Sequence, residues 1–199
     1  MRKFILAAAL LLMSLCFGDN LSAGNFGILG GANFHTYNPA DIGVRTLTQG
    51  HAGIAYNFNL PAGFKLQPAL LYNVKKATTD KTSLDLSVGY LELMASVQWG
   101  VDLILFRPFL DVSPFVGYGI NGWGDFRNIW KEDGSRLEYG VGLGGGLQIW
   151  RFQLAARYNW NFGKIMPDAA AEGKFKGADF SGVSLTLTYF FGNAGKRKN

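Results

Sequence analysis

Cysteine is almost missing from this chain: its 199 residues include one, Cys16. With no second thiol there is no internal disulfide and no thiolate cage for a metal. Charge is sparse too, at 17% of residues against a usual share near ~25%. Histidine occurs only as His35 and His51, and no acidic cluster stands near either at ligand spacing, so a metal centre has little to rest on. The glycine runs precede no helix and are not phosphate loops. Past the N-terminus no uninterrupted apolar run reaches the ~18 residues a spanning helix needs. Any membrane crossing must be made by strands.

The first residues read as a targeting segment. Met1-Arg2-Lys3 is a basic start, Phe4 to Leu15 an apolar run, and small residues follow at Gly18, Ser22 and Ala23. That order is a secretory signal peptide over residues 1–23, cleaved after Gly18 or Ala23. Leu15 before Cys16 argues against a lipoprotein signal. The mature chain then has no cysteine and no thiol nucleophile. Losing Arg2, Lys3 and Asp19 lowers the formal charge from +5 to +4. Part of the excess is the basic tail within 193–199, and the rest is scattered rather than gathered into a basic face, which speaks against nucleic-acid binding.

What the chain does have is glycine, 27 residues, and aromatics, 15%. Both meet in residues 137–149, LEYGVGLGGGLQI, where apolar side chains take the odd positions except at Gly145, and Gly140, Gly142, Gly144 and Gly146 line the even ones between Glu138 and Gln148. Period two means a strand with two unlike faces. Glycine weakens a strand and marks places where something bulky comes close. One face therefore meets an apolar medium, and the other leaves room for large side chains across a narrow space.

The same alternation recurs along the chain. Strands are expected at 25–35, 49–60, 64–75, 84–99, 105–119, 137–149, 152–162 and 179–191, with Pro68 calling for a bulge or a missing hydrogen bond in the third. Gly63 suits the left-handed position of the 61–63 turn. If Trp150-Arg151 is a two-residue turn, Ile149 and Phe152 pair and must share a face, and the alternation of both strands agrees. Connections at 61–63, 100–104 and 150–151 are short, whereas 36–48, 76–83, 120–136 and 163–178 are long. Aromatics gather at both strand ends. Short turns on one side, longer loops on the other and two aromatic girdles describe an all-β, eight-stranded antiparallel up-and-down transmembrane β-barrel over residues 24–192.

A soluble barrel would turn the apolar faces inward. Apolar faces on all eight strands exceed what so narrow a bore can hold, and a row of four glycines is a poor soluble exterior. The inverted arrangement is therefore preferred.

The chain resembles the PorT-like family of small outer-membrane β-barrel proteins. The likeness lies in GILGGANF, GHAGIAYNFNLPAGFKLQPALLYN, YLELMASVQW, RPFLDVSPFVGYGI and EYGVGLGGGLQIWRFQLAARYNWNFG, and it covers nearly all of the mature chain. It implies the outer membrane of a Gram-negative bacterium, reached by Sec-type export, and a link to protein secretion. Such barrels commonly finish on an aromatic; here residues 192–199 follow Phe190-Phe191.

Inward parity places Glu92, Asp111 and Arg157 at mid-height, Arg107 and Lys65 lower, and His51 and Glu138 nearer the outer rim. Charges confined there must pair, and the expected plug sets Arg157 against Glu92 and Asp111, with Arg107 in the same network. The alternative is a polar path for small solutes. A third reading sets His51 beside Glu138 and a nearby Ser or Thr as a lipid-modifying site, without a motif to fix the triad. In the 120–136 loop, Trp123, Phe126, Arg127 and Trp130 are candidate partner contacts, since Trp and Arg are favoured anchors. The expectation is a non-enzymatic monomer without cofactor, surrounded by outer-membrane lipid, with a structural or binding role. The loop aromatics either fold over the barrel mouth or rest at the lipid interface, or they meet a protein partner, for which the outward loops and the periplasmic side are the candidate surfaces.

Overall fold

The computed structural model describes residues 22–35, 47–79, 84–123, 136–162 and 181–191. These form eight strands: β1 (Ser22–His35), β2 (Leu47–Asn59), β3 (Phe64–Thr79), β4 (Leu84–Gly100), β5 (Arg107–Trp123), β6 (Leu137–Ile149), β7 (Phe152–Asn161) and β8 (Gly182–Phe190). Each pairs antiparallel with the next in sequence, and β8 pairs with β1, so the barrel closes. Closure leaves no sheet edge, and in lipid only a structure that satisfies every backbone group internally can span.

Alternation decides which way the wall faces. Leu143, Leu154 and Leu185, one on each of β6, β7 and β8, are 46%, 53% and 42% exposed. Lys75, Asp111, Glu138 and Arg157 are at most 3% exposed. The apolar faces point outward and the charged ones into the bore, the inverse of a soluble protein.

The register at the tight turns follows the alternation. Ile149 faces Phe152 across Trp150-Arg151, and Trp150 takes a φ of 53°. The 3₁₀ turn Pro61–Gly63 joins β2 to β3, with Ala62 as well as Gly63 at positive φ. Opposite Pro68, pairing with β2 lapses between Ala55↔Ala69 and Phe58↔Leu66 and then resumes in the same register. The proline, lacking an N–H, thus costs a local stretch of ladder and makes no bulge.

Several boundaries differ from expectation, β1 beginning at Ser22, β2 at Leu47 and β5 at Arg107 among them. β3 runs on to Thr79 and pairs with Leu84, so only 80–83 remains of the expected long 76–83 connection. The polar run Lys75–Thr79 looks like a loop, but its backbone has a partner in the first half of β4. β5 likewise reaches Trp123, which faces Ser87, because Tyr118 and Ile120 continue the outward alternation beyond Gly119. Trp123 is therefore a strand residue. β8 begins at Gly182 rather than at 179.

The aromatic girdles are in place. On the short-turn side Phe26 stacks on Phe191 at 5.9 Å and Phe152 lies 5.1 Å from Tyr189. At the other end Tyr158 and Trp160 are 4.7 Å apart, and Tyr139 and Phe162 6.3 Å.

Candidate functional site

The bore is filled in layers, and the sheet register decides what lies in each. Asp111 on β5 faces Gly144 on β6, which faces Arg157 on β7. The missing side chain at Gly144 lets the guanidinium cross to the carboxylate: Nε donates to Oδ1 at 2.8 Å and Nη2 to Oδ2 at 2.9 Å. The hydroxyls of Ser96 and Ser113 also donate to Asp111. A bidentate charged pair with its remaining lone pairs satisfied is the geometry that offsets burial.

A second cluster lies towards the long-loop end. Glu92 and Glu138 both face Gly117 from either side. Lys75 Nζ donates to Glu138 Oε1 and Oε2 at 2.7 and 2.8 Å and lies 3.9 Å from Glu92 Oε2. Asn73 donates to Glu92 and Asn161 to Glu138, at 3.2 and 2.9 Å. The ammonium also sits over the rings of Tyr90 and Phe115, 5.3 and 5.7 Å from their centres, a favourable placement for a desolvated cation.

The third polar layer is at the short-turn end. Lys65 Nζ donates to Gln148 Oε1 at 2.8 Å, and Gln98 Nε2 to Gln67 Oε1 at 2.9 Å. Arg107 donates to the Gly63 carbonyl at 2.8 Å and approaches Asp102 at 3.4 Å. An apolar cluster of Leu29, Ala55, Ala69, Leu71, Met94 and Phe115 also occupies the bore.

The β6 glycines make room for this filling. A Cβ at Gly140 would lie 2.5 Å from Phe115 Cζ, and one at Gly146 2.6 Å from Phe109 Cζ. A Cβ at Gly142 would lie 2.6 Å from Asn159 Oδ1. The row of small positions and the large side chains opposite it are one feature.

All four sequence-proposed network residues, Glu92, Arg107, Asp111 and Arg157, are buried in the bore, but their pairing needs correcting. Arg157 binds Asp111 and not Glu92, whose partners are Asn73 and Lys75. Asp111 faces Gln98, six residues from Glu92 on β4, or about 20 Å at the usual rise of a strand. One guanidinium cannot serve both. Arg107 is likewise tied to the turns and Gln98 rather than to either acid of the pairings above. Lys75, Asn73 and Asn161 were missed as partners. Their inward parity was readable, but who meets whom across the bore depends on strand stagger.

His51 does not meet Glu138. Its Nε2 lies 3.0 Å from Thr186 Oγ1, and its ring fills the space above Gly31, while Glu138 is held by Lys75 and Asn161. The proposed lipid-modifying constellation is not assembled. Phe126, Arg127 and Trp130 lie outside the described residues.

A closed antiparallel barrel with a lipid-facing apolar wall, paired charges inside and aromatic girdles at both ends is a transmembrane β-barrel of the outer-membrane type. The chain belongs to the outer membrane protein beta-barrel domain family, whose model matches residues 5–191. Among solved structures it is similar to Neisserial surface protein A (NspA), with a TM-score of 0.51 and 16% identity over 85% of this chain and 100% of that one. At that identity the likeness is one of fold. No curated protein matches the chain.

Proposed function

We propose that the protein is a non-catalytic integral barrel of a Gram-negative outer membrane, exported by a Sec-type signal. It works as a monomer through surfaces outside an occluded bore. The observation behind this reading is the filling of the lumen by three bonded polar layers and an apolar cluster. An eight-stranded barrel is just wide enough for side chains to close it. With the bore taken up by its own side chains, binding falls to the outward loops or the periplasmic face. The PorT-like resemblance points to a partner in protein secretion.

Two measurements test this. Purified protein in planar bilayers is expected to give no steady conductance; regular unitary steps would refute occlusion. Exchanging the 124–135 segment in whole cells is expected to abolish partner crosslinks, and unchanged crosslinking would remove that segment from the binding surface.

One observation favours a second reading, a narrow hydrated path. Among the described residues Gln49 Nε2, His51 Nδ1, both side-chain polar atoms of Asn57 and Gln153 Oε1 are buried without a protein partner. Buried water satisfies such groups. Conductance that appears in the unmodified protein and changes on Arg157→Ala would move the balance to this reading.

A further inference from the structure

The turn between β4 and β5 is built unlike a water-facing turn. Residues 101–106 read Val-Asp-Leu-Ile-Leu-Phe, in which Asp102 is the one residue of a type that turns favour. Ile104 is fully exposed, Leu105 68% and Val101 52%. The backbone closes on itself, Val101 N–H donating to the Pro108 carbonyl at 3.2 Å and Leu103 N–H to the Phe106 carbonyl at 3.0 Å. Those bonds reduce the polar backbone that leaving water would strip. The turn's one charged side chain, Asp102, reaches back to Arg107 at 3.4 Å, a residue whose own side chain is buried. The carboxylate stays 60% exposed at the base of the turn, paired with that arginine, and the tip beyond it at Leu103 to Leu105 is apolar.

This patch is continuous with the lipid-facing wall. Phe106 and the end of β6 at Ile149 are exposed on the outer surface below Trp99 and Leu147, and Trp150 beside them is 76% exposed. Trp150 holds a φ of 53°, a conformation glycine adopts without strain and an L side chain does not. A bare turn would favour glycine there. An indole, apolar with one polar edge, fits the boundary between acyl chain and headgroup. The next residue, Arg151, is exposed. The third short turn, Pro61–Gly63, adjoins the 101–106 turn through the Arg107–Gly63 bond and has only Pro, Ala and Gly.

We infer that residues 101–106, with Trp150 and Arg151, form a one-sided foot embedded in the phospholipid leaflet on the short-turn side. The aliphatic side chains enter the shallow acyl region, the indole lies at the boundary and the guanidinium meets lipid phosphate. The inference rests on the barrel being embedded in a bilayer, and the experiment separates the two.

In the mature chain, which has no cysteine of its own, Ile104→Cys carries an environment-sensitive fluorophore, and Leu93→Cys on the mid-wall gives a reference. The labelled proteins are refolded into phosphatidylethanolamine–phosphatidylglycerol vesicles with iodide on both sides, or with nitroxide lipids labelled at shallow or deep positions. The label at 104 is expected to lose most of its emission to shallow nitroxide lipid and little to iodide, while the label at 93 responds to deep nitroxide. Quenching at 104 by iodide, with 93 still quenched by lipid, overturns the foot and leaves the embedded barrel standing. Quenching of both by iodide overturns the bilayer placement itself. A label at 104 shielded from lipid and iodide alike overturns the foot in favour of contact between copies.

Discussion

The pair at the centre of the bore gives the sharpest test. Asp111→Asn keeps the side-chain volume, and of the hydroxyls of Ser96 and Ser113, which donate to different carboxylate oxygens, one keeps its acceptor while the other meets an amide NH2. What disappears is the countercharge to Arg157, held now by bonds of 2.8 and 2.9 Å. Both side chains are almost wholly buried, at 2% and 0% exposure, so water cannot readily take the carboxylate's place. Removing one partner of such a pair costs about 3–5 kcal/mol, whereas removing both is often close to neutral. Urea unfolding in phospholipid vesicles, followed by tryptophan emission, should show that loss for Asp111→Asn. Arg157→Met in the same chain should recover most of it. If the single change costs less than about 1 kcal/mol, the size of an ordinary hydrogen bond, or if the double change costs the sum of the two singles, the pair is not the coupled unit described above.

Other outcomes follow from the same layers. Lys75→Met leaves Glu92 and Glu138 facing one another without their shared cation and should destabilise by about 3–5 kcal/mol in the same assay, with Glu92→Gln/Lys75→Met less affected. Gly142→Ala meets only side-chain atoms, whereas Gly140→Ala meets the Trp160 carbonyl oxygen as well as Phe115. The second should therefore cost the more, within the ~1–3 kcal/mol typical of overpacking, and equal losses would show that the wall adapts freely. Leu143→Arg puts a charge on the lipid face and should lower folding stability in vesicles by about 2–4 kcal/mol if Leu143 lies near the bilayer midplane; a neutral result would contradict a lipid-facing β6.

The sequence by itself determined the wall. Alternation in 137–149 and 152–161 fixed which residues share a face, and the turn at Trp150-Arg151 fixed the register between them, because a slip of one residue would exchange the two faces. It also showed that the apolar set was too large for the bore, which turned the barrel inside out. Alternation failed where strands become polar at the rim, as in Lys75–Thr79, since only a partner strand shows that such a backbone is paired.

What tertiary structure alone decided was who meets whom inside. Glu92 and Asp111 share inward parity on adjacent strands and look equivalent in the sequence. Strand stagger separates them by six rungs, giving Arg157 to one and Lys75 to the other. Parity is a local property with a period of two residues. Height in the bore depends on tilt and register accumulated around the closed sheet, and no single segment contains that information.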